Sequence, residues 1–220
     1  MAADAEDLGT DSLAPYGFVR GPDSLELFAE YGDGLFAGAL VAGFYGTTYF
    51  HCDERAIAIV IRSMAPRDVR DWMSSVLRRS SGTAEVALAF VEAVREAYPD
   101  YALSVVGHSA AGAVASYVAA EQNLPSVVFN ATRTDFAQTN DGAEQLVVTV
   151  SGDVFSDPEA APAAGVMAVP QAIVANPGRI AGVELRIDPV GEYRFLWELH
   201  YIDVIIDELN WILGREAPGR

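Results

Sequence analysis

The sequence predicts an α/β protein, a mostly parallel sheet with helices on both faces. Three observations carry that prediction. Short, continuous apolar runs recur, AIAIVIR at Ala56–Arg62, ALSVV at Ala102–Val106, PSVVFN at Pro125–Asn130 and LVVTV at Leu146–Val150, as strands buried on both faces should read. Stretches with apolar residues at helical spacing precede and follow them, and strands alternating with helices build parallel sheets covered by their crossovers. Finally, 220 residues of which 51% are hydrophobic suffice to enclose one core of this kind.

Taken in order, residues 1–30 read as an acidic, partly ordered leader that ends in a short helix, Ser24–Tyr31. The single folded domain is expected over residues 31–220. Gly43–His51 is aromatic and Thr-rich, Cys52–Arg55 is a polar break and Ala56–Arg62 is β-branched; together they predict a hairpin whose second strand is central. Val69, Trp72, Met73, Val76 and Leu77 then mark one helix and Val86, Phe90, Val91 and Val94 another, joined by the polar link Arg78–Thr83. Tyr98-Pro99-Asp100 stops the second helix. Ala102–Val106 is a short buried strand that turns through Gly107-His108-Ser109 into an Ala-rich helix from Ala110 to Glu121. Strands follow at Pro125–Asn130, Leu146–Val150 and Val183–Ile187, with an Ala- and Pro-rich loop from Asp157. Ile202, Ile205, Ile206, Leu209, Ile212 and Leu213 mark one face of a closing helix that His200 introduces.

Charge narrows the partners. Fourteen basic residues, all arginine, face 31 acidic ones for a net charge of −17. A field of that sign repels phosphate backbones and anionic headgroups, so no nucleic-acid partner is expected and no electrostatic membrane anchoring. Cys52 is the only cysteine, which excludes an intramolecular disulfide and a cysteine-based zinc cluster and predicts a small buried side chain. The uncharged run Gly34–Cys52 is interrupted by four glycines, too sparse for a membrane helix of about 20 residues. Met1–Asp11 lacks the basic and apolar segments of a secretory signal, so a cytoplasmic location is expected. There is no phosphate-binding loop, no HExxH and no dinucleotide fingerprint, and no cofactor or metal is implied.

The segment that can carry chemistry is ALSVV-GHS-AAGAVASYVAA. A serine on a sharp turn between strand and helix has its hydroxyl lifted above the sheet edge, where the following N–H, here that of Ala110, faces a developing oxyanion. Such a turn requires small neighbours, and Gly107, Ala110, Ala111 and Gly112 supply them. The usual pattern is G-x-S-x-G; here Ala111 takes the fifth place. The structural alternative is a tight turn with Ser109 as helix cap. A serine nucleophile needs an imidazole, and the chain holds only His51, His108 and His200. His108 adjoins Ser109 and should point elsewhere, His51 lies far upstream, and His200 follows the last strand, where a sheet-edge loop brings it above the serine. Asp153 follows the strand Leu146–Val150 at its carboxyl end, where sites in open α/β sheets form; Asp157 is the reserve acid. The order Ser109, Asp153, His200 is that of the α/β hydrolases.

YPDYALSVVGHSAAGAVASYVAA followed by SVVFNATR resembles the elbow block of the class 3, fungal-type lipases and related bacterial α/β hydrolases, in which a strand, GHSLGGALA and a second strand succeed one another. AIAIVIRSM with RDVRDWMSSV is similar to that family's strand, RGT or RGS, and downstream DW. The resemblance covers Gly43 to Leu213 and implies an α/β-hydrolase fold, a lipase-like esterase activity on small-molecule or lipid-like esters, and Ser109, Asp153 and His200 as its triad. It also implies an oxyanion hole from Ala110 and the segment Ser63-Met64. There Ser63 occupies the family's Gly place and Met64 its hydroxyl place, and one oxyanion donor is worth about 2.7–4 kcal/mol. The competing expectation is therefore a non-catalytic protein of the same fold that binds a ligand or partner. The short link Arg78–Thr83 leaves no room for an amphipathic lid helix, which predicts action on soluble esters.

Overall fold

The computed structural model describes residues 13–31, 44–63, 69–132, 144–153, 155–157, 159–160, 182–190 and 196–214. Its elements in chain order are β1 (Phe18–Asp23), α1 (Ser24–Tyr31), β2 (Phe44–His51), β3 (Ala56–Ser63), α2 (Val69–Ala97), β4 (Ala102–His108), α3 (Ser109–Gln122), β5 (Ser126–Phe129), β6 (Gln145–Val150), β7 (Val183–Ile187) and α4 (Ile202–Ile212), with 3-10 turns at Ala14–Tyr16 and Leu196–His200. The strands form one sheet in sequential order. β1, β2 and β3 pair antiparallel, and β3 to β7 run parallel. The hairpin, the parallel strands and α1 lie where the sequence places them.

Both faces of the sheet's centre are buried, and the period of two along each strand separates them. Ile57, Ile59 and Ile61 of β3, Val105 of β4, Val128 of β5 and Val147 of β6 pack with Phe28 of α1, Phe90, Val91 and Val94 of α2, and Val114, Ala115 and Val118 of α3. On the opposite face Val148 and Val150 of β6 and Ile187 of β7 meet Leu199 of the second 3-10 turn and Ile202 and Ile205 of α4. A third cluster on that face joins Tyr49, Ala58, Val60 and Val106. α3 has so little side-chain bulk that eleven of its residues, Ser109 to Ala120 apart from Tyr117, are buried. It lies directly against the sheet and brings its first turn to the carboxyl end of β4. No described helix is long and apolar enough to cross a membrane.

Three expectations are corrected, and one alternative is not realised. The two helices after β3 are one, α2, which runs through Arg78–Thr83 without a break. That link contains no proline, and Gly82 has open space around it, so its cost of about 1 kcal/mol does not outweigh helix continuity. The sheet begins earlier than residue 31: Phe18–Asp23 is an edge strand, masked in the sequence by Gly21 and Pro22, which edge strands tolerate. Cys52 is exposed, because it opens the hairpin turn between β2 and β3 and is tied there by its N–H to the Gly17 carbonyl at 2.7 Å. Ser109 is not a helix cap; His108 holds that position, without a side-chain capping bond. Met64 and the Ala- and Pro-rich segment beyond Ala160 lie outside the described residues.

Candidate active site

β4 ends in the turn that presents Ser109. The position of Gly107 has no room for a side chain: a Cβ there would sit 2.6 Å from the Ala111 carbonyl oxygen and 2.8 Å from the Ala115 methyl. Ser109 adopts φ +59°, a left-handed conformation that a non-glycine residue holds only where its surroundings enforce it. The absent fifth-place glycine is accounted for in the same way. Ala111 tolerates its methyl inside the main core, whereas Gly112 makes the close approach, a Cβ there lying 3.0 Å from the Ala131 methyl.

Three predicted residues converge. Ser109 Oγ lies 2.6 Å from His200 Nε2, and His200 Nδ1 lies 2.8 Å from Asp153 Oδ2. All three side chains are buried, Asp153 completely. A carboxylate only accepts hydrogen bonds, so Nδ1 carries the ring proton and Nε2 accepts from the serine hydroxyl. Asp153 is held by a local turn, its Oδ1 accepting from the Phe155 N–H at 3.1 Å and its Oδ2 also from the Ser156 hydroxyl at 2.5 Å. The phenyl ring of Phe155 stands 4.6 Å from the imidazole of His200, shielding one side of it.

Asp157 is placed elsewhere. It accepts from the Gly152 N–H at 2.9 Å and from the Glu159 N–H at 3.0 Å, and it pairs with Arg186 of β7 at 2.9 Å. It braces the loop that carries Asp153. His51 ends β2, the strand antiparallel to β3, so it lies at the opposite end of the sheet from Ser109 and packs edge-on against Phe18. Ser63 closes β3, and the parallel register pairs Ile61 with Gly107, which sets the end of β3 beside the elbow. Ala110 is the second residue of α3, where a backbone N–H has no acceptor within the helix.

Three contributors escape the sequence reading. His108, expected to point away from the site, reaches the His200 carbonyl with Nε2 at 2.7 Å, and its ring lies 5.2 Å from that of His200. Asn130, just past β5, is buried and adopts φ +41°. Ser156 is the third, and only its spacing from Asp153 signals it: an acid followed two residues on by an N–H and three on by a hydroxyl is a common turn.

No protein-family model and no curated protein matches the sequence. Among solved structures, the chain is similar to a triacylglycerol lipase from Penicillium expansum (22% identity over 68% of this chain and 66% of that one, TM-score 0.42). It is also similar to a mutant form of MDLA from Penicillium cyclopium (13%, 84% and 68%, 0.48) and to a lipase from Rhizopus microsporus var. chinensis (16%, 68% and 58%, 0.44). The chain thus spans about 58–68% of the length of these proteins. Its mostly parallel sheet, the serine turn between β4 and α3, and the chain order of Ser109, Asp153 and His200 are those of the α/β-hydrolase fold.

Proposed function

We propose that the chain is a serine hydrolase that cleaves carboxylic esters through an acyl-enzyme. The observation that carries this reading is the pair of contacts centred on His200, 2.6 Å to Ser109 Oγ and 2.8 Å to Asp153 Oδ2, with the serine in a left-handed conformation that a simple cap would not need. In the reaction, Ser109 Oγ attacks the ester carbonyl as His200 Nε2 takes its proton, while Asp153 fixes the ring tautomer and stabilises the imidazolium. The Ala110 N–H and a backbone N–H of Ser63-Met64 receive the oxyanion. Collapse expels the alcohol, which takes the proton from Nε2. Water, deprotonated by the same nitrogen, then releases the acid and restores Ser109.

The substrate proposed is a soluble ester with a short to medium acyl chain. Support comes from α2, whose backbone continues without an excursion from Val69 to Ala97 and leaves no separate lid segment there. A panel of p-nitrophenyl esters of increasing chain length tests the reading. Turnover is expected to peak at short to medium chains and to vanish in Ser109→Ala. With tributyrin, the rate is expected to saturate smoothly through the solubility limit, whereas a jump above that limit would mean a lid and a lipid surface as the target. A folded chain with no turnover on any ester would favour the non-catalytic, ligand-binding alternative.

A further inference from the structure

We propose that Asn130 and His108 are positioning residues that hold the base-bearing turn, an inference that rests on the reading of His200 as the base. His200 closes the 3-10 turn Leu196–His200 and lies 91 residues from the serine it contacts. A single 3-10 turn has little internal stability, and its last carbonyls lack donors within the turn. Two consecutive carbonyls are taken up by side chains from the sheet. Leu199 O accepts from Asn130 Nδ2 at 2.8 Å, and His200 O accepts from His108 Nε2 at 2.7 Å.

The Asn130 amide works in both directions. Its Oδ1 accepts the Val150 N–H at 2.8 Å, at the last residue of β6 and three residues before Asp153. One fully buried side chain therefore ties the strand that delivers the acid to the turn that delivers the base. Its φ of +41° belongs to the region that asparagine enters more readily than most residues, which accounts for the residue type on the backbone side as well. His108 makes the complementary link: the residue immediately before the nucleophile grips the backbone of the base. Displacing a catalytic group by about 1 Å costs on the order of 100-fold in rate, so these links matter without either residue touching substrate.

The test compares wild type with Asn130→Gly, which suits a positive φ and deletes both amide bonds. Two readouts are taken: kcat and KM on a p-nitrophenyl ester, and the ring tautomer of His200 from long-range proton–nitrogen NMR, simple to assign with three histidines in the chain. Expected are a fall in kcat of about 10- to 100-fold, KM within about threefold, and a His200 ring that no longer holds one Nδ1–H tautomer. An unchanged rate, or a lost rate with an unchanged His200 spectrum, overturns the proposal. Should Asn130→Gly not fold, His108→Leu and His108→Gln decide: Leu is expected to lower kcat and disturb the ring, and Gln, whose amide can donate to the same carbonyl, to restore both. Equal behaviour of the two variants overturns it. The tautomer readout needs no turnover, so a wild-type chain inactive on esters would defeat the reading of function while leaving this proposal decided by the spectra.

Discussion

The elbow and the base-bearing turn form the two halves of one site, and they are built by different physics. The elbow is local. Its shape follows from Gly107 packed against the Ala111 carbonyl and from small residues over the first turns of α3, all within a dozen positions of the serine. The turn at Leu196–His200 is assembled at long range, through hydrogen bonds from Asn130 and His108 and a smaller apolar cluster of Val148, Val150, Ile187, Leu199, Ile202 and Ile205. Steric necessity writes itself into neighbouring residues, whereas long-range polar contacts leave no spacing to read.

The largest effect expected from breaking either half is at the reacting atoms. Ser109→Ala and His200→Ala should each lower kcat by roughly 10⁴-fold or more, with thermal melting close to wild type, while His51→Ala keeps most of the rate. Similar rate losses at His51 and His200 would show the base to be misassigned. Next comes the acid: Asp153→Asn should lower kcat by roughly 10³- to 10⁴-fold, because an amide favours the wrong imidazole tautomer. Asp157→Asn should instead leave the rate within a few-fold and lower stability by about 1–3 kcal/mol in chemical denaturation, since it weakens a buried brace to Arg186. The reverse ranking would move the acid's role to Asp157.

Gly107→Ala sharpens the comparison from the elbow side. The added methyl meets backbone at 2.6 Å, so denaturation should show a loss of about 1–3 kcal/mol, accompanied by lower activity. The smallest effect lies away from both halves, at Tyr45 of β2. Burial and then the negative charge and hydrogen bond of Asp23 raise its phenol above the ordinary value, opposed by Arg20. The folded protein therefore holds that proton more tightly than the unfolded chain; the contribution is complete below about pH 10 and is lost as pH rises through the raised value. Tyr45→Phe should thus show a flatter decline in stability above pH 10 than wild type in pH-dependent melting.

The same division explains what was legible. The hydrophobic runs of β3 to β6 and the turn at Ser109 are visible because each rests on adjacent residues, whereas Asp153 and His200 are reached only through their places after predicted strands and the scarcity of histidines, three in the chain. β1 is not, since Gly21 and Pro22 are ordinary turn residues that only the edge of a sheet admits. The continuity of α2 through Ser80-Ser81-Gly82 is decided by helix cooperativity over 29 residues rather than by the propensity of the link. The sequence turns His108 away from the site because it adjoins Ser109, yet the structure brings its ring to the His200 carbonyl. Asn130 stands in the SVVFNATR block, but nothing in that block gives its side chain a role; its importance arises where three distant segments meet.

The central claim is that Ser109 is an activated nucleophile. Labelling the folded chain with a fluorophosphonate and mapping the adduct by peptide mass spectrometry tests it without knowledge of the substrate. One adduct per chain is expected, on Ser109, absent in Ser109→Ala and formed far more slowly in His200→Ala. A folded, thermally stable chain that takes no label, or takes it on another residue, would contradict it.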